Sequence, residues 1–186
     1  MGFLIYVICY AMGSLPFGFL ISKFKGIDIT KAGSGNVGAT NVARNLGWKL
    51  GALVLVLDSL KGFLAVKLAE YWNGDINVAG FVAILGHILS IPFVFKGGKG
   101  VATYLGVNLA LNPLLGLAFV VAFFILFQIT RIVSLSCLVG IWIVNFSVFI
   151  NQSNYVPLVT ALVITVAHTS NIRRLIRGEE PKFKLN

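Results

Sequence analysis

Residues 101–130 read VATYLGVNLALNPLLGLAFVVAFFILFQIT. So apolar a stretch belongs in lipid, either as one long tilted helix or as two short ones broken at Asn112-Pro113, because proline ends a helix at about the preceding residue. Charge parity decides between them. Two spans here put Lys23 to Lys49, Lys96 and Lys99, Arg131, and the tail Arg173 to Lys184 on one side. A single span would send Arg131 and the tail to the other side, against the excess of Lys and Arg in cytoplasmic loops. The opposite side then carries Trp72 to Ile76, Asn112 and Asn151 to Asn154, with no Lys or Arg among them.

Extended to both ends, this reading gives seven candidate spans: Gly2 to Ser22, Gly47 to Tyr71, Asn77 to Pro92, Val101 to Leu111, Pro113 to Thr130, Ile132 to Ile150 and Tyr155 to Asn171. Composition agrees. Of 186 residues, 58% are hydrophobic and 11% charged, against roughly 45–50% and 25% in soluble domains. With neither strand alternation nor a barrel pattern, the expected fold is an all-α integral membrane protein forming a single polytopic domain over residues 1–186. The first apolar run is followed, not preceded, by its positive charges Lys23 and Lys25, so it reads as an uncleaved helix with its N-terminus outside. The C-terminus is then cytoplasmic. The net charge of +9 is spread over short loops, which fits the positive-inside bias and excludes a nucleic-acid partner. Cys9 and Cys137 lie in apolar runs without metal-ligand spacing and read as small core residues. The 11-residue run Val101 to Leu111 would be about 17 Å long at 1.5 Å per residue. That is too short to cross unaided, so the Lys96 to Gly100 loop is expected to start below the headgroup plane.

Three polar constellations fall on the basic side. The first is Lys31-Ala-Gly33-Ser34-Gly35-Asn36-Val37-Gly38-Ala-Thr40-Asn41, followed by Arg44. Its glycine spacing mimics the dinucleotide fingerprint, but that motif works only after a strand in a βαβ unit. What survives is glycine amides that can converge on an anion, donors at Ser34 and Asn36, and a guanidinium fork at Arg44. Alone, it reads first as an ordinary flexible loop. The second runs from Gly86-His87 to Lys96-Gly97-Gly98-Lys99-Gly100-Val-Ala-Thr103. Its glycines and lysines form a dense anion cradle, yet no Walker A loop, because Gly100 stands where Ser or Thr belongs. His87 reads as a general base, a phosphate donor or a satisfied core histidine. The third is His168-Thr-Ser-Asn171-Ile-Arg173-Arg174-Leu-Ile-Arg177-Gly178-Glu179-Glu180, in which His168 and Asn171 should share a helix face at the end of the last span.

Within the second span, Asp58 and Lys61 are spaced i,i+3 and should form a structural pair near the site, with direct ligand contact by Lys61 the open alternative. Lys67 and Glu70 repeat the spacing. Asn108, Gln128 and Asn145 read as interhelical hydrogen bonds. Carboxylates are scarce on the basic side, which disfavours metal-dependent phosphotransfer. No metal or cofactor is expected.

Jointly, Ser34 to Asn41, Gly86 to Thr103 and the His168 to Glu180 segment resemble the three cytoplasmic motifs of the bacterial acyl-phosphate:glycerol-3-phosphate acyltransferase family, PlsY. The resemblance covers essentially the whole chain. It implies transfer of a fatty acyl group from acyl phosphate to the 1-hydroxyl of glycerol 3-phosphate, giving lysophosphatidic acid and phosphate, in the bacterial cytoplasmic (inner) membrane with the site facing the cytoplasm. By position its motif roles fall on Ser34 and Arg44, on Gly97 to Gly100, and on His168, Asn171 and Glu180; joined to the reading of the residues, the catalytic candidates are Ser34, Arg44, His87, Lys99, His168 and Asn171. Substrate binding falls on Gly35, Asn36, Asn41, Lys61, Lys96, Gly97, Gly98, Gly100 and Thr103, with Asp58 and Glu180 structural near the site. Implied partners are the two phosphorylated substrates, membrane lipid and, as a candidate, the soluble enzyme that makes acyl phosphate. Val37 stands where the family commonly has Pro, and no aromatic precedes Pro92. The His-x4-Asp dyad of the other major class is absent, since Pro92 and Arg173 occupy the fifth positions after His87 and His168. The substrate's own phosphate is therefore the expected base, with His87 as runner-up. A transporter or channel for phosphorylated anions is the competing reading.

Overall fold

The computed structural model describes residues 2–90 and 97–183. Lys96, Lys184 and the expected end of the third span at Pro92 lie outside the described residues. The chain divides into two compact units, Met1–Leu111 and Asn112–Asn186.

The first unit begins with α1 (Gly2–Ser14) and α2 (Phe17–Phe24), which correct the expected unbroken span Gly2 to Ser22. Pro16 has no amide hydrogen to donate and crowds the residue before it, so the helix stops at Ser14 and restarts after the proline. The same rule that placed the Asn112-Pro113 break applies here. Next come α3 (Ala39–Leu46), inside the expected first loop, and α4 (Trp48–Tyr71), α5 (Ile76–Leu89) and α6 (Val101–Leu111). Asp75 caps α5 by accepting from the amides of Asn77 and Val78, and Ser90 closes it in the left-handed conformation (φ 41°). Helix α1 lies against α5 and α4, and α4 also carries α3 and α6. A Cβ on Gly13 would strike the backbone of Ala83, and one on Gly106 the backbone of Ser59. Bare backbones meeting in this way are how membrane helices gain packing when lipid offers no hydrophobic drive. Ile5, Cys9, Ala65, Ala69, Ala79 and Ala83 form the core of these contacts.

The second unit comprises α7 (Pro113–Thr130), α8 (Val133–Gln152), α9 (Val156–Ala167) and α10 (Thr169–Ile176). Asn112 caps α7 by accepting from the Leu114 amide, with Pro113 in the first turn, where a missing N–H costs nothing. Helix α8 packs against α7 and α9. Trp142 Nε1 of α8 donates to Thr165 Oγ1 of α9 at 3.1 Å. The expected last span, Tyr155 to Asn171, is instead interrupted at His168. There the imidazole and the backbone amide both engage the Ile164 carbonyl, a side-chain competition that interrupts helices.

Among the described residues, three stretches are long and apolar enough to cross a membrane: Gly2–Phe24 taken through its break, Pro113–Thr130 and Val133–Gln152. Ile76–Leu89, Val101–Leu111 and Val156–Ala167 are shorter apolar helices. Two single polar residues depart from expectation. Asn108 Nδ2 donates to the Tyr104 carbonyl of its own helix at 2.9 Å, and Gln128 is exposed.

Candidate active site

The α1–α2 break takes the carbonyls at the end of α1 out of the helical ladder, and the Leu15 carbonyl keeps only a tight bond from the Phe17 amide at 3.2 Å. Two side chains from neighbouring helices meet them. Lys61 Nζ of α4 donates to the Leu15 carbonyl at 2.7 Å, and Ser90 Oγ, at the end of α5, donates to the Ser14 carbonyl at 3.0 Å. Lys61 is 4% exposed, so its charge needs a counter-ion close by. Asp58, one turn earlier and 2% exposed, supplies it at 2.7 Å. The ammonium also sits 5.7 Å from the Phe17 ring centroid. The expected Asp58–Lys61 pair therefore forms, and Lys61, expected among the phosphate ligands, is already committed to a carboxylate and a carbonyl.

His87 approaches the same carboxylate oxygen as Lys61, its Nδ1 3.7 Å from Asp58 Oδ1 and 3.1 Å from Thr103 Oγ1. The second motif closes over it. The Gly98 amide donates to the His87 carbonyl at 3.1 Å. A Cβ on Gly97 would strike the His87 and Ile88 carbonyls, and one on Gly98 would strike His87 Nε2. Beyond offering amides to an anion, these two glycines let the loop lie directly on the histidine. Gly100, at φ 82°, turns the chain into α6. Lys99 is half-buried. Ser14, Pro16, Phe17, Asp58, Lys61, His87, Ser90, Gly97 and Gly98 line one cleft.

The first motif is organised by Asn41, which is 3% exposed. Its Oδ1 accepts from the Ser34 amide at 3.0 Å, and its Nδ2 donates to the carbonyls of Asn36 at 2.8 Å and Ala32 at 3.0 Å. Both ends of the amide thus shape the loop, which makes Asn41 an organiser of the motif. Gly33 and Gly35 take positive φ (56° and 70°), where a side chain would be strained. A Cβ on Gly33 would also strike Asn41 Oδ1. Ser34 is held through its backbone and exposed; Arg44 is exposed on α3, and Asn36 is half-buried. Gly18 of α2 abuts the Val37 carbonyl, so the loop rests on the broken first helix. Beside the loop, the Thr30 hydroxyl and amide donate to Asp28, and with Lys31 they hold that carboxyl below its usual value.

The third motif forms its own network in the second unit. Glu180 Oε1 accepts from Ser134 Oγ at 2.7 Å and from Asn171 Nδ2, and its Oε2 accepts from Arg174 Nε at 2.7 Å. Burial pushes the Glu180 carboxyl upward, but these three donors and the Arg174 charge outweigh it and hold the group below its usual range. His168 and Asn171 are both buried, but they sit in different elements and not on one continuous helix. Since a carbonyl only accepts, the 2.8 Å contact of His168 Nδ1 with the Ile164 carbonyl places a proton on Nδ1. Ser134 and Ser90 escaped the sequence reading, each a lone serine in or beside an apolar run. Pro16 was a legible signal for the break that Lys61 and Ser90 cap.

The glycerol-3-phosphate acyltransferase family model matches residues 3–178. The glycerol-3-phosphate acyltransferase of Bacillus subtilis (strain 168) is 46% identical over 187 residues, covering 97% of each chain. That of Wolbachia pipientis subsp. Culex pipiens (strain wPip) is 43% identical over 187 residues, covering 97% of this chain and 98% of the relative. The crystal structure of PlsY (YgiH), an integral membrane glycerol 3-phosphate acyltransferase, in its glycerol 3-phosphate form, matches with a TM-score of 0.90 at 37% identity. It covers 97% of this chain and 94% of its own. The lysophosphatidic acid form of that enzyme matches with a TM-score of 0.88. With motifs, helices and full-length relatives in agreement, this chain belongs to the glycerol-3-phosphate acyltransferase family of integral membrane enzymes.

Proposed function

We propose that the protein transfers a fatty acyl group from acyl phosphate to the 1-hydroxyl of glycerol 3-phosphate, yielding 1-acyl-glycerol 3-phosphate and inorganic phosphate, the first acylation in making phospholipids. The observation that carries this reading is family membership over nearly the whole chain, joined to two glycine-rich motifs folded around one broken helix. The solved relative is known in a glycerol 3-phosphate and a lysophosphatidic acid form, which are the acceptor and the product of this reaction.

Acyl phosphate is a mixed anhydride with a good leaving group, so positioning and charge stabilisation suffice without a covalent acyl-enzyme. The hydroxyl oxygen bonds to the acyl carbon, the bond from that carbon to the phosphate oxygen breaks, and the hydroxyl proton passes to the phosphate of glycerol 3-phosphate. His87 is the weaker candidate base, because Thr103 engages its Nδ1 and Gly98 faces its Nε2. In this reading Ser34, Arg44 and Lys99 touch the reacting groups, while Gly35, Asn36, Lys96, Gly97, Gly98 and Gly100 hold phosphate. Thr103 and Asn41 act through the groups they orient, and His168 and Asn171 serve the activity from the third motif. We read residues 1–186 as one seven-span domain of the bacterial cytoplasmic membrane, N-terminus outside, C-terminus and active site on the cytoplasmic side. A transporter would use the α1–α2 break as an ion or substrate site, whereas here Lys61 occupies its carbonyl.

Purified protein in detergent, offered glycerol 3-phosphate with acyl phosphate, acyl-CoA or acyl carrier protein, tests the donor. Phosphate release and acylated product are expected with acyl phosphate alone. Turnover with another donor and none with acyl phosphate would overturn the reading.

A further inference from the structure

The acyl-transfer chemistry leaves one buried assembly unused: Asp58 and Lys61, a single turn apart on α4. Lys61 ties the Leu15 carbonyl at the α1–α2 break. Two residues past that break, on α2, Gly18 bears on the Val37 carbonyl of the first motif so closely that no Cβ fits between them. The Asp58 oxygen that meets Lys61, Oδ1, also stands 3.7 Å from the Nδ1 of His87, the residue on which Gly97 and Gly98 of the second motif lie. Ser90 adds a second tie from the end of α5 to the end of α1. One ion pair on one rigid helix thus touches the supports of both motifs.

A buried lysine would be costly here if its only task were to neutralise Asp58, since two apolar side chains would pack as well. At the helix break, however, the Leu15 carbonyl keeps only the Phe17 amide at 3.2 Å, which leaves a lone pair for a stronger donor from a neighbouring helix. We propose that the Asp58–Lys61 pair is a bracket of positioning residues that sets the first-motif loop against the second-motif loop at the distance acyl transfer requires. Lys61 acts through the Leu15 carbonyl and Asp58 through His87, without touching either phosphate. The inference rests on the acyltransferase reading above.

The experiment uses the full chain in detergent and begins with the wild type, whose failure to acylate glycerol 3-phosphate from any donor would overturn that functional reading alone. Whichever donor works is then used for the variants. Asp58→Asn/Lys61→Met removes both charges together and leaves neither orphaned. It is expected to lower kcat at least tenfold while KM for both substrates stays within about twofold, and Lys61→Arg, which keeps a cation and donors, should recover kcat to within about threefold of wild type. Ser90→Ala loses one hydrogen bond at the same break and should lower kcat about threefold, again with KM unchanged. Wild-type kcat in a folded double variant overturns the bracket, as does a rise in KM with kcat unchanged, which would make Lys61 a phosphate ligand. If the double variant does not fold, Ser90→Ala decides: unchanged kcat there overturns the proposal.

Discussion

Lys61 in the first unit and Glu180 in the second are both charges taken largely out of water, with side chains 4% and 7% exposed, and they are compensated in opposite ways. Lys61 finds its counter-ion three residues earlier on the same helix, so the pair is formed as soon as α4 is. Glu180 is satisfied by donors from α8 and α10, Ser134 lying 46 residues away in sequence, and the arrangement exists only once the tail has folded back. In this protein, a local pair serves a distant end, the broken first helix, while a distant network serves a local one, the placement of Asn171 in the third motif.

The sharpest way to break this contrast is to orphan one partner. Lys61→Met alone leaves Asp58 buried without its cation, and the expected cost is about 3–5 kcal/mol, seen as a large fall in the thermal unfolding temperature in detergent. Adding Asp58→Asn should recover most of it. Equal destabilisation of the single and double variants would mean that Asp58 never depended on Lys61. Glu180→Gln keeps the shape but loses the charge that three donors address, and about 2 kcal/mol of stability should go with it, since hydrogen bonds to charged groups are worth more than neutral ones. A variant as stable as wild type would make the network incidental.

The smallest effect is one of pH. The folded Glu180 value is held below the ordinary one, which for Glu is about 4.3. Its contribution is therefore complete above that pH and is lost as pH falls through the folded value, where both states carry the proton. Unfolding temperatures measured downward from neutral pH should drop in acid more steeply for wild type than for Glu180→Gln. Parallel curves would show that Glu180 contributes nothing through its charge.

Hydropathy and charge together made much of the fold legible. The break at Asn112-Pro113, the bounds of α6 and α7, and the pairing of Asp58 with Lys61 and of Lys67 with Glu70 all stand in the structure where the sequence put them. These features are local: a proline, an apolar run and an i,i+3 spacing act within a turn or two of themselves. The break at Pro16 is equally local, but the expected span Gly2 to Ser22 ran straight through it. The three motifs could likewise be recognised as polar clusters of a kind that binds phosphate. Which residues within them face outward and which build the motif was not legible. Asn41 and Ser34 look alike as polar loop residues, yet only the folded loop turns the first inward onto four backbone groups and leaves the second exposed. In the same way only the tertiary structure gave the Leu15 carbonyl to Lys61, Ser134 to Glu180, and the face of Gly98 to His87. The sequence by itself determined the proline break before α7 and the apolar runs of α6 and α7, because backbone sterics and transfer free energy act residue by residue. Partners for the polar groups buried between helices were decided by the tertiary structure alone, because each such group must find a donor or acceptor and the one within reach comes from another part of the chain.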